Sequence, residues 1–346
     1  MKRVLLISDT LEHYRIPLFE SLCDVVNLTI AHSNKINYNT SFKSVQIEVL
    51  PFGPFLRYKG LPKLAEFDIV IFPFSFRCFE LFKQILSNKD IKIGVFGIGV
   101  SASYNKKYDS DRRLLWLRKL ILKRVGFAIF YEQYPFIKYS AMGIDASKMS
   151  VAFNTVENKI NFDLAEKTFS SFIFIGSLYK QKKIFELLNA YLIVYTNHKG
   201  NIPRLEIVGD GDQMDEIKNW ILSKDLNNSI ILHGKLTSDL LLAPIFRRAI
   251  ACVSPGQAGL SVQKCFSFGV PFITSFNAIT GGEAFSIINS VTGFCYDSTI
   301  MGLSNILEKF VSNDLDLKKM SNACYIFYEQ FRNINIWKEG FLRNVI

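Results

Sequence analysis

The sequence predicts an α/β protein made of two Rossmann-like halves, and three observations carry that prediction. Short β-branched and aromatic runs alternate with segments of helical period along the chain, the pattern of α/β units around a mainly parallel sheet. A polar stretch, 157–168, separates these runs into two series. The 346 residues are 49% hydrophobic and 21% charged, enough for two cores and too apolar for disorder.

In the first series, strands are expected at 4–8, 26–31, 45–49, 69–72, 92–96, 127–131 and 149–153, and helices at 16–22, 79–86, 112–123 and 136–142. The second series places strands at 172–175, 205–208, 230–233, 250–254 and 272–274, with helices at 185–195, 213–222, 238–246 and 259–268. Gly269-Val-Pro271 supplies a helix stop before the last of those strands. A short helix is expected near 284–288, and the composition is again helical from Lys318 onward. The expected domains are therefore 1–156, 157–330 and a tail, 331–346, packing back on the first half; a cleft between the halves is the expected ligand site.

Six cysteines (Cys23, Cys78, Cys252, Cys265, Cys295, Cys324) stand far apart, without a CxxC pair or spaced histidines, and read as thiols in a reducing compartment. Ser8, Asp9 and Thr10 interrupt the N-terminal apolar run too early for a signal peptide, and no apolar run reaches the roughly 18 residues of a membrane span. The expected location is the cytoplasm. Lys and Arg outnumber Asp and Glu by 41 to 31, and this net charge of +10 is concentrated: between 106 and 124 lie Lys106, Lys107, Arg112, Arg113, Arg118, Lys119, Lys123 and Arg124 against Asp109 and Asp111. On a helix, Leu114, Leu117 and Ile121 fall on one face and Arg112, Lys119 and Lys123 on the other, with Trp116 beside them. That arrangement suits an anionic membrane surface, and equally a packed helix with a solvated basic face. Nucleic acid is not expected, because no aromatic-basic recognition module accompanies the patch.

Three segments have the chemistry of an anion site. Phe174-Ile-Gly-Ser-Leu-Tyr-Lys-Gln-Lys-Lys183 ends a strand on Gly176 and sets Lys182 just before a helix. Val253-Ser-Pro-Gly-Gln-Ala-Gly-Leu-Ser-Val262 is a strand-to-helix turn in which Gly259, Leu260 and Ser261 offer backbone N–H groups to a phosphate. Ile207-Val-Gly-Asp-Gly-Asp212 places Gly209 and Gly211 in a tight turn; Met214 stands where a dinucleotide fingerprint needs its third glycine, so the turn does not predict NAD.

Taken in order, these motifs resemble the family 4 retaining glycosyltransferases of the GT-B fold, in which two Rossmann-like domains face a central cleft. The resemblance spans nearly the whole chain. It rests on Tyr14-Arg15-Ile16-Pro17, Gly94-Val-Phe-Gly-Ile-Gly-Val100, Tyr131 and Ala152-Phe-Asn-Thr-Val156 in the first half. In the second it rests on Gly176-Ser-Leu with Lys182, Val208-Gly-Asp-Gly211, His233-Gly234, and Pro255-Gly256 through Gly259-Leu260 to Gly269 and Pro271. It implies that the first domain binds an oligosaccharide or lipid-linked glycan and the second a nucleotide-diphosphate sugar, in the synthesis of a surface polysaccharide such as O-antigen or capsule.

The resemblance assigns Lys182, with Gly176 and Gly259–Ser261, to the donor diphosphate, and Gly209, Gly211 and His233 to the nucleotide base or ribose region. Arg15 is expected at the diphosphate or in a surface ion pair. His13, in the first loop, is a candidate for direct chemistry or a solvated side chain. Two departures stand out. Ser177 occupies the place of a second diphosphate-binding cation, and a glutamate pair spaced eight apart falls on Gly256 and Lys264. Lys264 cannot accept a hydrogen bond from a ribose hydroxyl. Glu283, in Gly281-Gly-Glu283, is the candidate for the vacant acidic role, or else caps the helix that follows. Two other functions stay open: a GT-B-type nucleotide-sugar epimerase or hydrolase, which would share the diphosphate site but need no sugar acceptor, and, because the glutamate pair is missing, a non-catalytic sugar-binding partner of a polysaccharide assembly complex.

No metal or other cofactor is expected. Asp109-Ser-Asp111, Asp210-Gly-Asp212 and Asp314-Leu-Asp316 spell a carboxylate pair, but their positions suit a helix cap, a strand-to-helix turn and a polar connection.

Overall fold

The computed structural model describes residues 1–34, 39–87, 91–102 and 107–346; Lys106 of the basic segment lies outside the described residues. The chain forms two compact units. Met1–Ser101, Asp109–Glu157 and Arg332–Ile346 make the first, and Asn158–Phe331 with Ala102, Lys107 and Tyr108 the second.

In chain order the first unit contains β1 (Arg3–Ile7), β2 (Asn27–His32), β3 (Lys43–Gln46), β4 (Glu48–Phe52), β5 (Phe55–Lys59), β6 (Ile69–Pro73), β7 (Lys92–Gly97), β8 (Phe127–Phe130) and β9 (Met149–Val151). All but β4 and β5 form one parallel sheet in the order β3-β2-β1-β6-β7-β8-β9. The period of two along β1 sends Val4 and Leu6 into one core and Leu5 and Ile7 into the other, so both faces are covered. The C-terminal helix Ile334–Leu342 closes the first of these cores with Trp337 and Phe341, 2% and 0% exposed. Burying a side chain the size of Phe341 contributes about 1.5–3 kcal/mol, which fixes the tail to the first unit.

The second unit adds β10 (Ser171–Ile175), β11 (Arg204–Val208), β12 (Ile230–Gly234), β13 (Ala249–Val253), β14 (Phe272–Ser275) and β15 (Gly293–Tyr296), parallel in the order β12-β11-β10-β13-β14-β15. In each sheet the chain first builds outward in one direction and then returns to build in the other. The reversal lies between β1 and β6 in the first sheet and between β10 and β13 in the second. Loops leaving the carboxyl ends of such neighbours diverge and leave a crevice for ligand.

Several expected elements change. The strand expected at 45–49 is divided between β3 and an antiparallel hairpin, β4–β5, which turns at Gly53 with φ +57°. β15 and the helix Ile300–Val311, capped by Thr299, complete the second unit. The helix expected at 284–288 is a single 3-10 turn, Glu283–Ser286. The basic helix runs Leu115–Arg124 and not 112–123, which rotates its seam: Ile121 and Leu122 are buried, Leu115 packs beside them and Leu114 is 42% exposed. Arg118 is drawn toward this face by the Phe76 ring, 4.7 Å away. All six cysteines are free thiols, with Cys23 and Cys295 only half-buried. Among the described residues no helix is long and apolar enough to cross a membrane.

Candidate active site

At the reversal of the second sheet, three loops meet backbone to backbone, and glycines make the approach possible. The Gly176 amide donates to the Val208 carbonyl (3.0 Å), and Leu178 N to Asp210 O (2.9 Å). A β-carbon on Gly209 would lie 1.8 Å from Gly176 O, and one on Gly256 would lie 1.9 Å from Gln181 O. Gly256 N donates to Lys182 O (3.1 Å), and Tyr179 Oη to Gln257 Oε1 (2.6 Å). The loops after β10, β11 and β13 are thus one construction. The glycine at position 256 is required by space, so the backbone carrying Lys182 takes the room that a glutamate there would need.

Lys182 ends the 3-10 turn Lys180–Lys182, and Lys183 opens the helix Ile184–Asn197 in the left-handed conformation at φ +54°. The Lys182 side chain is 8% exposed and has no hydrogen-bond or ion-pair partner among the described residues. Gly176 and the Tyr179 ring lie beside it, the ring centroid 5.7 Å from Nζ. Burial pushes its pKa from 10.5 down to about 8. A buried, unpaired ammonium is unfavourable by itself, and an anion beside it would remove that penalty. Gly259, Leu260 and Ser261 lie at the start of the six-residue helix Ser261–Phe266, and their amides donate to no backbone acceptor outside that helix among the described residues. Ser177 is exposed on the same loop as Lys182.

The loop after β14 joins this group. Ile279 N donates to Gly256 O and Ala258 N to Ile279 O, each at 2.9 Å, which places the 279–283 loop against the 256–258 loop. Glu283 is 3% exposed; its Oε2 accepts from Gly281 N (2.9 Å) and from the Thr280 hydroxyl (3.3 Å). The Thr280 Oγ1 in turn accepts from Gly282 N and Ala284 N. Glu283 and Thr280 thus hold the backbone at the start of the 3-10 turn Glu283–Ser286. The spacing Thr280-x-x-Glu283 is the signal from which Thr280 was legible in the sequence.

Other residues are engaged elsewhere. His233 Nε2 meets Glu206 Oε2 (2.7 Å), and Arg248 grips the same buried carboxylate through Nε (2.9 Å) and Nη2 (2.8 Å). Burial pulls the Glu206 pKa upward, but Arg248, Ser171 and His233 outweigh it and hold the group below the usual carboxylate range. Lys264 forms an ion pair with Asp239, whose second oxygen accepts from Lys159 N (3.1 Å). No sequence signal pointed to Asp239, because its helix and that of Lys264 are far apart along the chain. In the first unit, Arg15 Nη1 donates to Tyr131 Oη (2.9 Å), tying the loop after β1 to the end of β8. Burial lowers the Arg15 pKa, Tyr131 and Tyr14 raise it, and the net direction is up. His13 is exposed, with its ring edge-on to Tyr14. Arg112, Trp116 and Lys123 are exposed on or beside the helix Leu115–Arg124, and Lys119 is half-buried.

Among the described residues no group of three His, Cys, Asp or Glu side chains is arranged to hold a metal. Asp109 binds Lys138 and Tyr134, Asp111 binds Arg113, Asp210 accepts from Gly211 N, and Asp316 caps the helix Leu317–Phe331 through Lys319 N.

Two parallel sheets, each reversing at a central pair, define the class: the architecture is GT-B. Residues 156–326 match the model of the family glycosyl transferases group 1, and the protein is a glycosyl-transfer enzyme. No curated protein sequence matches the chain. Among solved structures it is similar to the Anabaena protein HepE in complex with UDP, with TM-score 0.70, 12% identity and coverage of 100% of this chain and 99% of that one. It is also similar to the lipopolysaccharide outer core galactosyltransferase WaaB, with TM-score 0.67, 14% identity and 99% of each chain covered. A third is sucrose-phosphate synthase of Thermosynechococcus elongatus, with TM-score 0.68, 14% identity and coverage of 98% and 96%.

Proposed function

We propose that the enzyme transfers a sugar from a nucleotide-diphosphate donor, bound by the second unit, to an oligosaccharide or lipid-linked glycan received by the first. The observation that carries this reading is Lys182: a buried ammonium without an anionic partner among the described residues, at the strand reversal, among glycine loops. As the bond from the sugar to the diphosphate breaks, negative charge grows on the leaving group, and Lys182 with the amides of Gly259–Ser261 stabilises it. Glu283 takes the acidic role beside the donor sugar, since its loop borders Gly256, where no side chain fits. Retention of configuration and a place in surface-polysaccharide synthesis follow from the sequence resemblance. HepE, solved with UDP and with UDP-glucose, and WaaB, a lipopolysaccharide galactosyltransferase, support a uridine nucleotide and a glycan acceptor.

The reaction needs no metal on this reading. The enzyme works in the cytoplasm, held at an anionic membrane surface by the basic helix Leu115–Arg124. Reversing Arg112, Lys119 and Lys123 to Glu should release it from anionic vesicles while sparing activity on a soluble acceptor. A panel of nucleotide sugars read by thermal unfolding tests the donor site. A donor at 100 times its dissociation constant stabilises the fold by about 2.7 kcal/mol; no shift with any nucleotide sugar or nucleoside diphosphate refutes the reading. Acceptor-dependent turnover then separates a transferase from an epimerase, a hydrolase or a binding protein.

A further inference from the structure

The β4–β5 hairpin has a tip that is apolar and uncovered. Residues 50–54, Leu-Pro-Phe-Gly-Pro, are all exposed, with Leu50 at 42% and Phe52 at 49%. A lone two-stranded hairpin is marginal in water, but this one is braced. Phe52 and Phe55 meet the Phe79 ring edge-on at 5.2 and 6.0 Å, and Phe55 meets Phe82 at 5.9 Å. Leu56 N donates to Arg77 O (2.5 Å), Tyr58 N to Glu80 Oε1 (3.1 Å), and Tyr58 Oη to Asp9 Oδ1 (2.5 Å). The tip is held outward by a rigid base.

The hairpin and the helices Phe79–Leu86 and Leu115–Arg124 pack on the same core and so cover one face of the first sheet, while Ile334–Leu342 covers the other. Those two helices add their own exposed apolar groups, Leu86 at 73% and Trp116 at 64%. The charges around them are one-sided. Arg57, Arg77, Lys83, Arg112, Lys123 and Arg124 make no ion pair among the described residues. Three of the acids on or beside these elements are ion-paired, Glu48 with Lys59, Asp109 with Lys138 and Asp111 with Arg113, and Glu80 is turned inward, accepting from Tyr58 N. Apolar side chains among unpaired cations complement an anionic lipid interface, where each cation meets a headgroup and each apolar tip leaves water.

We propose that the β4–β5 tip is a wedge that inserts Leu50 and Phe52 into the interfacial layer of an anionic bilayer. The inference rests on the membrane part of the function proposed above and is independent of the donor site. The test is co-sedimentation with vesicles of phosphatidylglycerol and phosphatidylcholine, and of phosphatidylcholine alone, using the full chain and the Leu50→Ser/Phe52→Ser variant. Wild type should bind the anionic vesicles, and the variant should bind them at least tenfold more weakly while keeping its nucleoside-diphosphate affinity. A Phe52→Trp/Trp116→Phe variant should keep binding and show fluorescence quenched by brominated lipid.

In the vesicle experiments the wedge is overturned by no binding of wild type, by wild-type partitioning of the double serine variant, or by unquenched fluorescence from the vesicle-bound Phe52→Trp/Trp116→Phe variant. Loss of binding on charge reversal of the basic helix, with none on the serine substitutions, leaves the membrane surface as partner and removes the wedge. Self-association that buries Phe52 without lipid assigns the tip to a second copy and likewise overturns it.

Discussion

Replacing Lys182 by Met should move binding and stability in opposite directions. In the folded protein the ammonium is 8% exposed and its pKa falls from 10.5 to about 8. Keeping it protonated at pH 7 therefore costs the free fold about 3 kcal/mol relative to a chain in which the lysine is solvated. Because the folded pKa lies below the unfolded one, the fold loses stability as the pH falls from about 10.5 to about 8, and the full cost is present below that window. Lys182→Met removes the cost, so the variant should be at least as stable as wild type at pH 7, with a flatter stability profile above pH 8. Its nucleotide affinity should fall, because a hydrogen bond to a charged group contributes about 1.5–3 kcal/mol, or roughly 10- to 150-fold in Kd. Calorimetric titration with UDP, GDP and ADP at pH 7 to 9, beside thermal unfolding over the same range, reads both effects. Wild-type affinity should hold to about pH 8 and then fall toward tenfold per pH unit as the free ammonium loses its proton; the variant should show neither the affinity nor the slope. An unchanged Kd in the folded variant, or a wild-type affinity insensitive to pH between 8 and 9, would refute the placement of the diphosphate.

The other predictions concern neighbouring parts of the same rim. Gly256→Ala forces a β-carbon to within 1.9 Å of Gln181 O and must displace the Lys182 backbone; it should cost about 1–3 kcal/mol in unfolding experiments and weaken nucleotide binding at least tenfold, and wild-type Kd would show that the loop contact is dispensable. Glu283→Gln keeps the shape of the loop and should lower turnover far more than donor affinity; if only the melting temperature falls, the carboxylate is a cap and nothing more. Transfer should survive EDTA and respond little to magnesium or manganese, since the proposed site balances the diphosphate with Lys182 and backbone amides; chelation that abolishes transfer, with rescue by manganese, would move the diphosphate elsewhere.

The strands were legible because each is a short apolar run, and the order in which they alternate with helices is set by local pattern. β1, β6, β10, β11 and β14 could be located in this way, together with the glycine turns that follow β10, β11 and β13. The hairpin was not legible, because Leu50-Pro-Phe-Gly-Pro-Phe55 has neither an inward-facing alternation nor a buried run, and Phe79 and Phe82, which brace it, lie more than twenty residues away. The basic helix was misplaced by a few residues for a related reason: its seam is chosen by what Ile121, Leu122 and Arg118 meet across the sheet, not by the periodicity of the segment alone.

The residue types of the proposed donor site were set by the sequence, and their condition was decided by the fold. Lysine, glycine and a strand end are local facts, sufficient to nominate Lys182. That its ammonium is buried without a partner among the described residues, that Gly256 is filled by the neighbouring backbone, that Glu283 lies on the loop beside that glycine, and that Lys264 is paired with Asp239 all depend on segments distant in the chain. The physical reason is that hydrophobic period and turn chemistry act between neighbours along the chain, whereas desolvation, close approach of backbones and charge pairing act between neighbours in space, and only packing brings those together.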